Sequence, residues 1–247
     1  MPPIHAIADS HGFLDQVHSA LELIATHGAP DAPVVFMGDY VDRGPNSRGV
    51  IEFLMQGQAE GRNWICLMGN HDRFLLRYLV DPMYLDPQVS RPLFYTDPPL
   101  GGAKTLASYG VDVDARRDPL DIHADAVAAV PQAHLDWIAG LPRYHETEDQ
   151  IFVHAGLRPG VALPKQDEDD LLWIRRGFLD TPYDWRRLLV HGHTALDRAQ
   201  LYDYRLNLDG SAGYGRPLFP ALIDGRSVRL LTRDGAEVMQ PEPEPAY

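Results

Sequence analysis

The stretch Val34-Val35-Phe36-Met37-Gly38-Asp39-Tyr40-Val41-Asp42-Arg43-Gly44 constrains the fold more than any other part of the chain. Four apolar residues read as a buried strand, Gly38 ends it, and two carboxylates and an arginine follow within five positions of one another. A buried strand running straight into carboxylates suits an open α/β sheet, where ligands sit beyond the carboxyl ends of the strands. Asp39 is expected to bridge two metal ions, with Asp42 and Arg43 acting on a phosphate that those ions hold.

The same arrangement recurs. Ile4 to Ala8 reads as a strand ending in Asp9-Ser10-His11-Gly12, and a helix follows with Leu14, Val17, Leu21 and Ile24 on one face. Pro45-Asn46-Ser47 opens a second helix that turns Val50, Ile51, Phe53 and Leu54 inward. Trp64 to Met68 is a third strand, ended by Gly69-Asn70-His71-Asp72 and followed by a helix with Phe74, Leu75, Tyr78 and Leu79. Three strand–loop–helix units in succession predict parallel β in an α/β protein.

Residues 81–147 differ: prolines 82, 87, 92, 98 and 99 break up the first part, and helical stretches follow at Lys104 to Tyr109, 120–129 and 131–140. This reads as a helical insert over the edge of the site. A hairpin over Tyr144 to Val153 leads into His154-Ala155-Gly156, and the strand Leu188-Leu189-Val190 ends in His191-Gly192-His193-Thr194. Leu201 to Leu208, Ala221 to Asp224 and Val228 to Leu231 read as antiparallel β, with Asp224-Gly225 as a turn. The acidic run Asp167 to Asp170 reads as a solvated first turn of a helix. One domain is expected over 1–240, with a disordered proline-rich tail at 241–247.

The net charge of −13 argues against a nucleic-acid surface, so no nucleic-acid polymer is expected as partner, and any anion site must carry its own positive charge. The single cysteine, Cys66, lies in an apolar run and reads as a small core residue. No apolar run approaches a membrane span and the start does not resemble a signal peptide, so the expectation is a cytoplasmic protein with no membrane partner.

Singly, each loop is a weak signal. Together, five of the eleven histidines (His11, His71, His154, His191, His193) fall in four strand-end loops, two of which also carry Asp or Asn. The other six read as structural or surface residues. Carboxylate, imidazole and amide oxygen without thiolate suit Mn, Fe, Zn or Ni. With Asp9 and His11 on one ion and Asn70, His154 and His193 on the other, a ligand must bridge ions roughly 3.5–4 Å apart, and Asp39 is the carboxylate placed to do so. Such a pair acidifies a water and suits in-line attack on phosphorus. His71 follows a ligand and can protonate the leaving group, with Asp42 orienting it. Arg43 and Arg175 are the phosphate contacts, together with Asn70. For Arg175 and Arg176 the competing reading is an ion pair with the run at 167–170.

These residues resemble the calcineurin-like metallophosphoesterases, and within them the phosphoprotein phosphatase family, its bacterial Ser/Thr phosphatase members most. The blocks that carry the resemblance are Ala8-Asp9-Ser10-His11-Gly12, Gly38 to Gly44, Gly69-Asn70-His71-Asp72, His154-Ala155-Gly156 and Gly192-His193-Thr194, in family order over residues 4 to about 215. The resemblance implies a four-layer α/β/β/α sandwich and two divalent ions, Mn first with Fe, Zn and Ni as alternatives. It also implies hydrolysis without a phosphoenzyme, and the site roles already assigned. Ala8 stands where glycine is usual, Asp72 where glutamate is usual, and Ala195 closes the last block as the phosphoprotein branch expects. His191 precedes a ligand, and its role is open between support of the site and packing.

Three functions follow as expectations. The first is phosphomonoester hydrolysis, with phospho-Ser/Thr in protein as substrate. The second is cleavage of dinucleoside polyphosphates such as diadenosine tetraphosphate. The third, a non-catalytic binding module, has no need of the set Asp42, Arg43 and His71.

Overall fold

A computed structural model describes residues 2–181 and 183–243. Along the chain run β1 (Ile4–Ile7), α1 (Leu14–His27), β2 (Val34–Phe36), α2 (Ser47–Ala59), β3 (Trp64–Cys66) and α3 (Asn70–Val80). The insert supplies α4 (Gly102–Ser108), α5 (Pro119–Ala129) and α6 (Gln132–Ala139). Then come β4 (Tyr144–Glu146), β5 (Gln150–Val153), α7 (Glu168–Trp173), β6 (Leu188–His191), β7 (Gln200–Leu201) and β8 (Arg205–Asn207). Strands β9 (Ala221–Asp224), β10 (Ser227–Thr232) and β11 (Gly235–Val238) complete the order.

Two sheets form. The first has the order β11-β10-β9-β1-β2-β3, with β1, β2 and β3 parallel and His5 opposite Val34, Val34 opposite Trp64. The second has the order β4-β5-β6-β8-β7. The apolar run at 34–37 is explained by burial on both faces of its strand. Val34 and Phe36 pack toward the helices, whereas Val35 and Met37 pack toward the second sheet, against residues such as Phe152 and Val190. The helical side and the insert share one apolar cluster, in which Tyr95, Leu100, Leu106 and Ile138 join Ile7, Phe36 and Phe74. The outer face of the second sheet is covered by α7 and the segment after it, through Leu171, Ile174 and Phe178 on Ile151, Val153 and Leu189. The fold is thus a mixed α/β sandwich whose layer on that side is a helix of six residues.

Three details depart from the sequence reading. β8 is antiparallel to β7 but parallel to β6, so the late strands are not all antiparallel. β11 was not foreseen, because its largely exposed Gly-Ala-Glu-Val carries no apolar alternation. The acidic run is not simply solvated. Asp169 pairs with Arg73 at 2.6 Å, Glu168 with Arg143 at 2.5 Å and Asp170 with Arg158 at 2.6 Å, so the run draws neither Arg175 nor Arg176. Cys66 is buried, as expected. At the tail, the Glu242 N–H donates to the Leu201 carbonyl at 2.8 Å and its carboxylate pairs with Arg198, while 244–247 lie outside the described residues. Among the described residues no helix is long and apolar enough to cross a membrane.

Candidate metal centre

The carboxyl ends of β1, β2, β3, β5 and β6 converge on one edge. The His11 N–H donates to the Asp39 carbonyl at 2.8 Å, the Gly192 N–H to the His154 carbonyl at 2.8 Å, and the His193 N–H to both Asp9 oxygens at 3.2 Å. Four of the five loops are thereby tied to one another. The turns are tight and costly. Five of the seven described non-glycine residues with positive φ are His11, Asp39, Asp42, Arg43 and His193. Backbone of that kind costs roughly 1–3 kcal/mol a residue and persists where the surroundings enforce it. Gly38 and Gly69 permit the approach of two loops: a Cβ on Gly38 would lie 2.4 Å from the Gly69 nitrogen, and one on Gly69 would lie 2.1 Å from Asp39 Oδ1.

Asp72, whose role the sequence left open, holds that crossing together. Its Oδ2 accepts the Asp39 and Gly69 N–H groups at 2.8 Å each, and its Oδ1 accepts the Tyr40 N–H at 2.9 Å. It sits in the first turn of α3, which begins at Asn70 rather than after the motif. Asp72→Asn puts an amide NH2 against at least one of these buried donors. Stability is expected to fall by about 2–4 kcal/mol, which lowers the melting temperature by roughly 10 °C for a chain of this size. An unchanged melting curve would contradict this role.

Asp9, His11, Asp39, Asn70, His71 and His193 line one cavity of about 280 Å³ with Arg43, Arg175, Trp173 and Tyr214. Asp39 turns its two oxygens toward two different imidazoles: Oδ2 lies 3.5 Å from His11 Nε2, and Oδ1 lies 3.5 Å from His154 Nε2. That is about the spacing of two donors each roughly 2.1 Å from one cation. Two groups of donor atoms share this residue. One is His11, Asp39 and His71, and the other is Asp39, His154 and His193. Asp9 lines the cavity but belongs to neither group, whereas His71 joins the first.

The histidines are prepared as neutral donors. His11 Nδ1 donates to the Val41 carbonyl and His154 Nδ1 to the Met37 carbonyl, both at 2.8 Å, which leaves each Nε2 as the lone-pair nitrogen facing the cavity side. Burial holds His11, His71 and His193 well below the usual imidazole range and lowers His154. Asn70 Oδ1 stands 2.8 Å from both His154 Nε2 and His193 Nδ1. In this orientation the lone pair of His154 Nε2 meets an amide oxygen, a clash that a shared cation resolves. His193 Nε2 is buried with no hydrogen-bond partner among the described residues.

The carboxylates show the converse strain. Burial pushes Asp39 up to about 7 and raises Asp9 well above the usual range, with the nearby Asp209 adding to both. Crowded buried carboxylates beside neutral imidazoles are what a divalent cation stabilises. The donor set therefore fits two such ions, and its lack of thiolate fits Mn, Fe, Zn or Ni.

Beside this centre, His71 Nδ1 donates to Asp42 Oδ2 at 2.6 Å. Asp42 is fully buried, and its Oδ1 accepts the Tyr95 hydroxyl at 2.6 Å and the Thr105 hydroxyl at 2.8 Å. Arg43 donates from Nη1 to His11 Nε2 at 2.7 Å and from Nη2 to His71 Nε2 at 3.1 Å. Arg175 reaches the cavity from the end of α7 and donates to the His193 carbonyl at 3.2 Å, while Arg176 is exposed and does not line the cavity. His191 is likewise outside the cavity, against Arg205 and edge-on to Phe178.

Sequence reasoning missed four residues near the site. Asp209 is buried just after β8, and Leu206-Asn207-Leu208-Asp209-Gly210 repeats the strand-to-carboxylate signal of the other loops. Tyr95 and Thr105 meet Asp42 only through the folding of the insert, with no local signal. Tyr214 lies with its ring 4.6 Å from the Arg43 guanidinium.

A symmetrical bis(5'-nucleosyl)-tetraphosphatase of Janthinobacterium sp. is 31% identical over 156 residues, covering 63% of this chain and 44% of that protein. The matched region is thus less than half of that relative's length. The crystal structure of a candidate diadenosine tetraphosphatase superposes with a TM-score of 0.64 at 19% identity, covering 96% of this chain and 94% of that one. The cold-active protein-tyrosine phosphatase of a psychrophilic Shewanella superposes with a TM-score of 0.61 at 16% identity, covering 97% of this chain and 83% of that one. Both superpositions speak for the fold alone. The model of the calcineurin-like phosphoesterase family matches residues 2–211, and the chain belongs to that family.

Proposed function

We propose that the protein is a hydrolase of phosphoric esters and anhydrides that works with two divalent cations and acts on dinucleoside polyphosphates. The observation that carries the reading is the Asp39 carboxylate, one oxygen toward His11 and the other toward His154. Asp9 and His11 would hold one ion, Asn70, His154 and His193 the other, and Asp39 both. The chemistry supplied by bound cations of this kind is acidification of a water and charge for phosphoryl oxygens.

The protein's own groups do the rest. Arg43 and Arg175, cationic forks at the same cavity as Asn70, bind and orient phosphoryl oxygens. His71, whose Nε2 is the lone-pair nitrogen here, would first take up a proton there from solvent and then pass it to the departing oxygen, and the Asp42 carboxylate on Nδ1 balances the transient imidazolium. Tyr95 and Thr105 fix Asp42, so the insert takes part in placing the acid.

The tetraphosphatase relatives favour a dinucleoside polyphosphate over the phosphoprotein that the motifs alone put first. The phosphoprotein reading stays second, supported by the Gly38 to Gly44 block. One assay separates them: protein loaded in turn with Mn, Zn, Ni and Fe is given diadenosine tetraphosphate and a phosphoserine peptide. The expected result is turnover of the tetraphosphate with kcat/KM at least about tenfold above the peptide, a difference of roughly 1.4 kcal/mol in transition-state binding. Preference for the peptide would reverse the order, and no turnover of either with any metal would overturn both.

A further inference from the structure

Tyr214 is the most exposed aromatic side chain among the described residues, with 66% of its surface open. Yet it is not on a loose loop. It closes a single 3-10 turn, Ala212–Tyr214, entered through Ser211 at φ +66° and left through Gly215 at φ +88°. The Ser211 N–H donates to Asp209 Oδ1 at 2.9 Å and the Ser211 hydroxyl to the Leu196 carbonyl at 2.7 Å. The turn is pressed onto the site: a Cβ on Gly213 would lie 2.3 Å from His11 Cδ2 and 3.1 Å from Arg43 Nη1. Only glycine allows that approach. The ring is braced by the Arg43 guanidinium 4.6 Å from its centre, and the ring otherwise stands open to solvent.

A rigid, open aromatic face beside a phosphate-binding arginine calls for a planar ligand. The cavity holds about 280 Å³. Sites that enclose a drug-sized ligand run from about 300 to 1,000 Å³. A phosphoryl group with its immediate neighbours fits inside, and the remainder of a larger substrate must pass over the rim where Tyr214 stands. We propose that Tyr214 is the platform on which a nucleobase of the substrate stacks, its ring held in place by Arg43. The proposal rests on reading the site as a nucleoside polyphosphate hydrolase. Stacking of one base on one aromatic side chain corresponds to roughly a five- to hundredfold change in binding.

The test compares diadenosine tetraphosphate with glycerol phosphate, which has no aromatic group, for wild type, Tyr214→Ala and Tyr214→Trp, each loaded with Mn. The ratio of kcat/KM for the tetraphosphate to that for glycerol phosphate is expected to fall about tenfold in Tyr214→Ala, chiefly through KM. Tyr214→Trp is expected to restore it. If the ring only braces Arg43, both substrates lose together and the ratio stays fixed, which overturns the proposal. A ratio that falls in Tyr214→Ala without return in Tyr214→Trp also overturns it, since stacking needs only a π face. A wild-type protein that hydrolyses glycerol phosphate but not the tetraphosphate overturns the substrate reading itself, an outcome visible before any variant is made.

Discussion

Asp39→Asn is expected to lower kcat/KM by roughly a thousandfold or more, the scale of several kcal/mol that cation assistance supplies. The reason is geometric. The carboxylate offers one oxygen on the His11 side and one on the His154 side, each 3.5 Å from the imidazole nitrogen. An amide keeps one oxygen and replaces the other by an NH2 that cannot ligate. The loss should therefore fall on both ions, whereas replacement of His154 should weaken one. The fold should survive, because the buried carboxyl, already pushed up to about 7, gives way to a neutral group of the same shape. Thermal melting of the metal-free variant, at or above the metal-free wild type, would separate lost chemistry from lost structure.

His71→Asn is expected to lower kcat by about 10²–10⁴, the range for loss of a positioned general acid. The size should depend on the leaving group. An alkoxide needs the proton most, so glycerol phosphate should lose more than an aryl phosphate or a nucleotide. The variant also resolves an ambiguity in the geometry, because His71 falls into one donor group with His11 and Asp39. Arg43 donates to Nε2 of both His11 and His71, so its nearness does not separate them; under the proposed role, His71 keeps Nδ1 on Asp42 and its Nε2 carries a proton rather than a cation. Both ions should therefore remain bound in His71→Asn. Loss of an ion from that variant would make His71 a ligand, and equal losses for alkyl and aryl esters would deny it the proton.

What was legible in the sequence was local. Strands β1, β2, β3, β5 and β6 announce themselves as apolar runs, and each hands its candidate ligand residues to the next loop within a few positions. The helical stretches of the insert were legible after its proline-broken first part. What was not legible is long-range or polar in a way that sequence patterns do not encode. Tyr95 and Thr105 lie 53 and 63 positions from the carboxylate they hold. The acidic run looked solvated because its partners Arg73, Arg143 and Arg158 are distant in sequence. Asp72, whose role the sequence left open, proved to be an acceptor for three backbone donors of the crossing loops. Asp209 is the exception, since its strand-end signal was present and went unread.

The central claim is that two cations share Asp39. The most direct measurement is the number of metal ions per chain after Mn loading and desalting, by elemental analysis of wild type and Asp39→Asn side by side. The account predicts two ions per wild-type chain and loss of both from the variant. A single ion in the wild type, or two ions held by the variant as firmly as by the wild type, would contradict it.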